Sequence, residues 1–423
     1  MKIGFMGLGK LGLPCALATE EAGHEVVGFD PSEAVRGYVR DKKIPYREEG
    51  APERLVNSKI RCVDVAELVS FSDIIFVAVQ TPHDPLYEGI SRIPETRVDF
   101  DYSYLIQACQ QLDTEIKTQG QDKVVVVIST VLPGTMDTYV KPHLSSHFKL
   151  CYNPFFIAMG TTIHDFTHPE FVLFGVDDEK AAQKAEEFYK TIHSRPFYKT
   201  AIKNAELIKV SYNTFISMKI AFVNNLMEVC HHTGADVDAV TDALKLGTER
   251  LVSPKYLSGG MGDGGGCHPR DNIALSWLSR KLGVRYDWSE AVMMAREKQT
   301  DFLADVVEKC RMKGDFPLPV IILGKAFKEQ TNLVVGSPSI LLKNILNERG
   351  IDVDMYDPWI DNALDKEMNP FFGMGMVACY FIGTHHKEFQ KYKFPKGSVV
   401  IDPWRYIADQ EGIKVIRVGQ GKR

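Results

Sequence analysis

Hydrophobic positions change rhythm twice along the chain. Up to about residue 200, short apolar runs alternate with longer amphipathic stretches: "KIGFM" (2–6), "HEVVGFD" (24–30), "DIIFVAVQTP" (73–82), "KVVVVISTV" (123–131), "KLCYNP" (149–154) and "FVLFGV" (171–176). Runs rich in Val, Ile and Phe, separated by helical patterns, predict a parallel sheet flanked by helices. Then comes "NAELIKVSYNTFISMKIAFVNNLMEVCHHTG" (204–234), apolar at helical spacing around most of its circumference and closed by a glycine. Such a helix is expected to be buried between domains or between subunits, and it predicts a homodimer joined through it. Beyond residue 300 the first rhythm returns in "LPVIILGKAF" (318–327), "PSILLKNILNERG" (338–350), "DVDMYDP" (352–358), "GMVACYFIG" (375–383) and "GSVVIDP" (397–403). The predicted class is α/β: two Rossmann-like doubly wound domains, 1–200 and 301–423, joined by a central helical domain over 201–300 with one long helix. A turn-rich stretch, "HDPLYEGISRIPETRVDFDY" (83–102), predicts a surface loop.

The first apolar run enters Gly7, Gly9 and Gly12, with Leu11 before the last, and an acid, Asp30, follows about 20 residues on at the end of the second strand. This is G-x-G-x-x-G between a strand and a helix. Gly7 makes the tight turn, Gly9 lets a pyrophosphate approach the backbone, and Gly12 lets helix pack on strand. Unpaired N–H groups at the helix N-terminus then face the phosphates. Asp30 would accept ribose hydroxyls and repel a 2′-phosphate, which favours NAD over NADP. Thr81 and Thr130 fall at carboxyl ends of later strands, where open parallel sheets bind ligands; a hydroxyl capping the next helix fits them equally.

Composition narrows the partners. A chain of 423 residues exceeds a single core, and 44% hydrophobic with 25% charged residues is ordinary for globular domains. The net charge of -5 argues against nucleic acid or an anionic membrane as a standing partner. No apolar run approaches the roughly 20 residues that span a bilayer. "MKIGFMGLGKLGLP" has glycines at turn spacing and no small-residue cleavage site after it, so a cytoplasmic location is expected. The 8 cysteines lack short paired spacing and suit reduced thiols. Cys230-His231-His232 and His385-His386 lack the separated spacing of metal ligands, so no metal is expected.

Two local patterns carry chemistry. Lys209 and Asn213 stand four residues apart on one face of the long helix, either as a solvated lysine and a capping asparagine or as two donors converging on a ligand. "GGMGDGGGCHPRD" (259–271) places six glycines around one cysteine, Cys267. Glycine permits close backbone approach at a cost in chain entropy. The thiol is then either inert and buried, the commonest state of a free cysteine, or a nucleophile given room by its neighbours.

In chain order, "GLGKLGLP", "STVLPGT" (129–135), "NPFF…G" (153–160), "AELIKVSYNTF" (205–215), "GGGCHPRD" (264–271), "LGKAFKEQTN" (323–332) and "YDP" (356–358) resemble the UDP-glucose/GDP-mannose dehydrogenase family over nearly the whole chain. The resemblance implies NAD as cofactor and a nucleotide sugar such as UDP-glucose as substrate, its C6 hydroxyl oxidised to a carboxylate with two NAD per turnover. It implies that Cys267 attacks the intermediate aldehyde, that Lys209 and Asn213 stabilise the oxyanion, and that Asp271 orients water or a proton carrier. It places Thr81, Thr130 and Arg270 toward the cofactor, Thr130 also among the catalytic groups. It places Phe155, Phe156, Lys255, Tyr256, Gly264 and Lys328, with Lys209 and Asn213, around the substrate.

The sequence departs from that family twice. Members usually read "NPEF", and the glutamate is the candidate base for the water that cleaves the thioester; here Phe155 stands in its place. A general base contributes about 10²–10⁴-fold, and a phenyl ring cannot take a proton. His164, His168 and His268 could substitute for it, although a surface or loop histidine is the simpler reading of each. In "TNLVVGSP" (331–338), Val335 and Gly336 stand where members commonly carry arginine and glutamate, the arginine being associated with the cofactor phosphates. The expectation is therefore full oxidation to the uronate with a relocated base. The alternatives are an oxidation that stops at the 6-aldehyde or takes another course, and a nucleotide-sugar binder without turnover.

Overall fold

The computed structural model describes residues 1–420 apart from 83, 93, 250, 252–254, 257, 314–315 and 362–375. The chain divides into two compact units, residues 1–83 with 99–211, and residues 84–98 with 212–423.

The first unit is built on eight strands: β1 (Lys2–Met6), β2 (Glu25–Phe29), β3 (Arg61–Cys62), β4 (Ile74–Val77), β5 (Lys123–Val127), β6 (Phe148–Tyr152), β7 (Val172–Val176) and β8 (Phe197–Thr200). Their order is β3-β2-β1-β4-β5-β6-β7-β8. Neighbours run parallel except β6 and β7. Met6 on β1 lies opposite both Phe29 and Val77, so chain order reverses at β1, and the crevice of a doubly wound sheet opens at its carboxyl end. Helices α1 (Gly12–Glu21), α2 (Glu33–Asp41), α3 (Ala51–Asn57), α4 (Val65–Phe71), α5 (Ser103–Gln119), α6 (Thr162–Thr167) and α7 (Glu179–Tyr189) connect the strands. Ile74–Val77 is buried at every position, as a strand covered on both faces requires.

Helix α8 (Ile202–Thr233) starts in the first unit and ends in the second. There follow α9 (Val237–Lys245), α10 (His268–Leu282), α11 (Trp288–Arg311), and a ribbon of β9 (Met312–Lys313) and β10 (Phe316–Pro317). A second parallel sheet holds β11 (Val320–Leu323), β12 (Val353–Tyr356), β13 (Cys379–Ile382), β14 (Val399–Asp402) and β15 (Lys414–Arg417), in the order β12-β11-β13-β14-β15 with α12 (Pro338–Glu348) after β11. This is the 2-1-3-4-5 doubly wound arrangement, reversing between β11 and β13. Val223 and Met227 of α8 and Leu303 and Val307 of α11 share one apolar cluster with Ile322, Leu342 and Phe381, so helices and sheet fold around a common core.

The turn-rich stretch predicted as a surface loop is irregular, with Asp84, Pro85, Leu86, Arg92, Glu95 and Thr96 exposed, but it is docked rather than free. Residues 84–98 pack within the second unit, with Tyr87 buried against Ile273 and Met293. Arg92 pairs with Asp301 and Glu348, each at 2.8 Å, and Arg97 with Glu290 at 3.2 Å. Turn residues set its backbone; Tyr87 and its arginines give it a surface to dock on.

Candidate active site

The glycine turn has the geometry that a dinucleotide needs. Gly7 has φ +106°, and a β-carbon there would sit 2.4 Å from the Ala78 carbonyl oxygen. A β-carbon on Gly12 would lie 2.1 Å from Gly7 O, whereas nothing approaches Gly9 within 4 Å. Gly9 is therefore the open face of the turn. Leu11 is the N-cap of α1 and supplies no side-chain cap; Leu13 N donates to Gly9 O at 3.1 Å and Pro14 carries no N–H, so of the first three helical residues it is Gly12 that offers its amide to a phosphate. Asp30 accepts Leu8 N and Ser32 N, both at 2.9 Å, which aligns its carboxylate with the turn. The residues fit NAD.

Hydroxyls brace the neighbouring strand ends. Thr81 Oγ1 donates to Thr130 O at 2.8 Å, and Ser129 Oγ to Val79 O at 2.7 Å. Thr81 thus ties β4 to the loop after β5. Beyond β6 the two phenylalanines part company. Phe155 packs on the apolar core with its ring 5.6 Å from Phe166, while the Phe156 ring lies tilted 4.9 Å from Phe171. The buried Lys209 ammonium sits 5.1 Å from the Phe156 ring centroid, a cation–π contact that fixes its direction.

Two buried carboxylates absent from the sequence reading hold these loops. Glu48 accepts Gly160 N at 2.9 Å and Thr162 N at 2.6 Å, pinning the loop that carries Phe155 and Phe156. Glu206, one turn before Lys209 on α8, accepts Gly134 N at 2.5 Å and Met136 N at 2.8 Å, pinning the loop that carries Thr130. Burial lifts the Glu206 carboxyl from 4.5 to about 7, against the pull of those two amides. The folded chain therefore binds this proton more tightly than the unfolded chain. Its contribution to stability is present below about pH 4.5 and is lost as pH rises through about 7. Urea unfolding between pH 5 and 8 tests this: wild type should lose about 2–3 kcal/mol relative to Glu206→Gln across that window. Parallel stability curves for the two proteins would refute it.

In the second unit Cys267 is the half-buried N-cap of α10 and makes no side-chain cap bond. Asp271 N donates to Cys267 O at 2.8 Å, closing the first turn. The Asp271 carboxylate is fully buried; it accepts Asn213 Nδ2 at 2.7 Å and Arg270 Nε at 3.1 Å. Cys267, Asp271, Arg270 and Asn213 are thus brought together. His268 follows the thiol, with Nδ1 3.3 Å from both Ser217 Oγ and Asn213 O. His164 and His168 instead stack on each other along α6, in the first unit.

The glycines before Cys267 have a use the sequence did not reveal. A β-carbon on Gly260 would lie 2.2 Å from the Trp404 ring, on Gly264 2.9 Å from Phe327 Cβ, and on Gly265 3.0 Å from the Phe327 ring. Only near Gly266 is there space, with Val335 at 3.8 Å. Most of these glycines let the loop lie on protein, and Gly266 leaves room beside the thiol. Lys328, whose ammonium lies 5.7 Å from the Phe327 ring, belongs to the same neighbourhood. Asp357 of "YDP" fixes this turn by accepting Lys325 N at 2.7 Å and Ala326 N at 2.9 Å. Burial opposes its charge, but His386 and the backbone amides hold its carboxyl below the ordinary value. Lys255 and Tyr256 lie exposed on a separate turn, Tyr256 with φ +62°.

Three models of the UDP-glucose/GDP-mannose dehydrogenase family match in order: the NAD binding domain over residues 1–193, the central domain over 203–297 and the UDP binding domain over 321–410. The chain belongs to this family. It is 30% identical over 369 residues to UDP-glucose 6-dehydrogenase TuaD of Bacillus subtilis, covering 84% of this chain and 76% of that protein. It is 26% identical to GDP-mannose 6-dehydrogenase of Azotobacter vinelandii, covering 87% and 84%. The solved UDP-glucose dehydrogenase of Pyrobaculum islandicum superposes with a TM-score of 0.86 at 26% identity, over 100% of this chain and 98% of that one. The enzyme is accordingly an NAD-dependent dehydrogenase of nucleotide sugars, and the Gly7–Gly12 turn lies in the segment matched as its NAD binding domain. Among the described residues no helix is long and apolar enough to cross a membrane.

Proposed function

We propose that this dehydrogenase oxidises the C6 hydroxyl of a UDP-hexose, UDP-glucose or a close relative, to the uronate, with Cys267 as covalent nucleophile. The observation that carries this reading is the placement of Cys267 at the N-cap of α10, where the positive end of the helix dipole favours negative charge, one turn from the buried Asp271–Asn213 pair. Bound at the glycine turn, NAD supplies the acceptor for the C6 hydrogens. Cys267 adds to the aldehyde carbon, and its thiohemiacetal is a far better hydride donor than the aldehyde. The ensuing thioester is cleaved by water, releasing the thiol and the carboxylate. Lys209 and Asn213 serve as fixed donors to the oxygen at C6. Asp271 holds Asn213 and Arg270 in place for that task. The UDP assignment rests on the family description of residues 321–410.

The test counts NADH formed per sugar consumed with UDP-glucose and, in parallel, GDP-mannose. Two per sugar is expected with the preferred nucleotide. One would mean release of the aldehyde, and none despite tight binding would mean a protein without turnover.

We further place a homodimer through α8. The helix leaves Leu207, Phe215 and Phe222 exposed at 45%, 42% and 52%, and Tyr286 and Trp288 are exposed at 65% and 50% before and at the start of α11. An apolar helical stripe left bare in one chain suits a second copy. Light scattering should give twice the chain mass of 47.6 kDa; a stable monomer would remove the assignment.

A further inference from the structure

One side chain outside the residues assigned above ties the glycine loop to its surroundings. Arg296, on α11, is 7% exposed with every guanidinium nitrogen engaged. Nε donates to Asp263 O at 3.0 Å and lies 2.9 Å from Asp263 Oδ1. Nη1 donates to Gly89 O at 2.9 Å, and Nη2 to Gly336 O at 3.0 Å. Three segments distant in sequence meet on this one group: the 84–98 segment, the glycine loop, and the turn that enters α12. The contacts are tight on every side. A β-carbon on Gly262 would lie 3.0 Å from Arg296 Cγ; on Gly336, where φ is +63°, it would lie 2.5 Å from Gly265 O.

The network continues toward the thiol. Asp263 Oδ2 accepts Ser217 Oγ at 2.6 Å, Ser217 Oγ accepts Asn272 Nδ2 at 3.1 Å, and Asn272 Nδ2 also donates to His268 O at 2.9 Å. The path from Arg296 therefore ends in the first turn of α10, beside its N-cap Cys267. Position 336 cannot accept the family's glutamate in this conformation, and Val335 cannot replace its arginine. A guanidinium nevertheless reaches the same turn, from α11.

We propose that Arg296 is a positioning residue for Cys267, setting the glycine loop and the start of α10 through Asp263 and Ser217, and that it also holds the 334–337 turn through Gly336 O. The proposal rests on Cys267 acting as the nucleophile. Arg296→Lys keeps the charge beside Asp263 but loses the planar fork. It should fold, keep its KM for NAD within about twofold, and lower kcat by about tenfold or more, since small misplacements of a reacting group are costly. Iodoacetamide alkylation of Cys267, with Cys267→Ala as background, should change by about threefold or more. Ser217→Ala, which leaves the ion pair intact, should move kcat and alkylation the same way with little change in the urea midpoint. A folded Arg296→Lys with wild-type kcat and alkylation overturns the proposal. Should that variant not fold, Ser217→Ala with both values unchanged overturns it. Full uronate formation by Cys267→Ala would instead remove the nucleophile reading, and the proposal with it.

Discussion

Cys267→Ala is expected to lower uronate formation by about 10⁴-fold or more while leaving both ligands bound. The side chain makes no cap hydrogen bond and is half-buried, so the substitution removes little packing, and stability should change by less than about 1 kcal/mol. What it removes is the atom that turns a poor hydride donor into a tetrahedral one. The first oxidation does not require the thiol. The variant should therefore release at most about one NADH per sugar and accumulate aldehyde or its hydrate, where wild type yields two. Product analysis with limiting sugar reads the difference directly. Uronate formed at the wild-type rate would show that the thiol is a bystander at the head of α10.

The parts of this enzyme visible in its sequence are the ones that local chemistry dictates. The Gly7–Gly12 turn is legible because strand, turn and helix are contiguous, and the structure gives each glycine a separate reason: left-handed backbone at Gly7, open space at Gly9, contact with Gly7 O at Gly12. Buried runs such as Ile74–Val77 announce the sheet. Strands β3, two residues long, and β8, with Tyr198 and Lys199 exposed, carry no comparable signal. Cys267 stands out by its glycines, although four of the neighbouring six serve packing on Trp404, Arg296 and Phe327. Glu206, Glu48 and Arg296 were not legible. Glu206 sits in an ordinary amphipathic pattern, and its partners Gly134 and Met136 are about seventy residues away. Arg296 lies in "MMAREKQ", where alternating charge reads as a solvated face; only the folded chain shows it buried between three carbonyls. Carboxylates and guanidinium groups that satisfy distant backbone atoms leave no periodic trace, yet here they hold the loops that carry Thr130, Phe155 and Cys267.

Introducing a carboxylate with Phe155→Glu is expected to damage the protein rather than speed it. The partly buried Phe155 ring packs on Phe166 against the apolar core of the first unit, which includes Ile163 and Tyr189. Removing it forfeits roughly 2 kcal/mol of apolar burial. The incoming carboxyl must then either stay in apolar surroundings, protonated or at a desolvation cost of about 1–3 kcal/mol, or swing outward and leave a cavity. Either course should lower stability by roughly 3 kcal/mol, a fall of about 6–12 °C in the thermal midpoint. Phe155→Leu keeps the site apolar and should cost about half as much, which separates loss of volume from introduction of charge. Turnover by the folded Glu variant should not exceed that of wild type, because the backbone pinned by Glu48 presents residue 155 to the core and residue 156 to Lys209. His268, next to Cys267, is held with Nδ1 3.3 Å from both Ser217 Oγ and Asn213 O. A Phe155→Glu enzyme of wild-type stability with faster thioester hydrolysis, followed by single-turnover release of uronate, would reverse this account and return the missing carboxylate to the reaction.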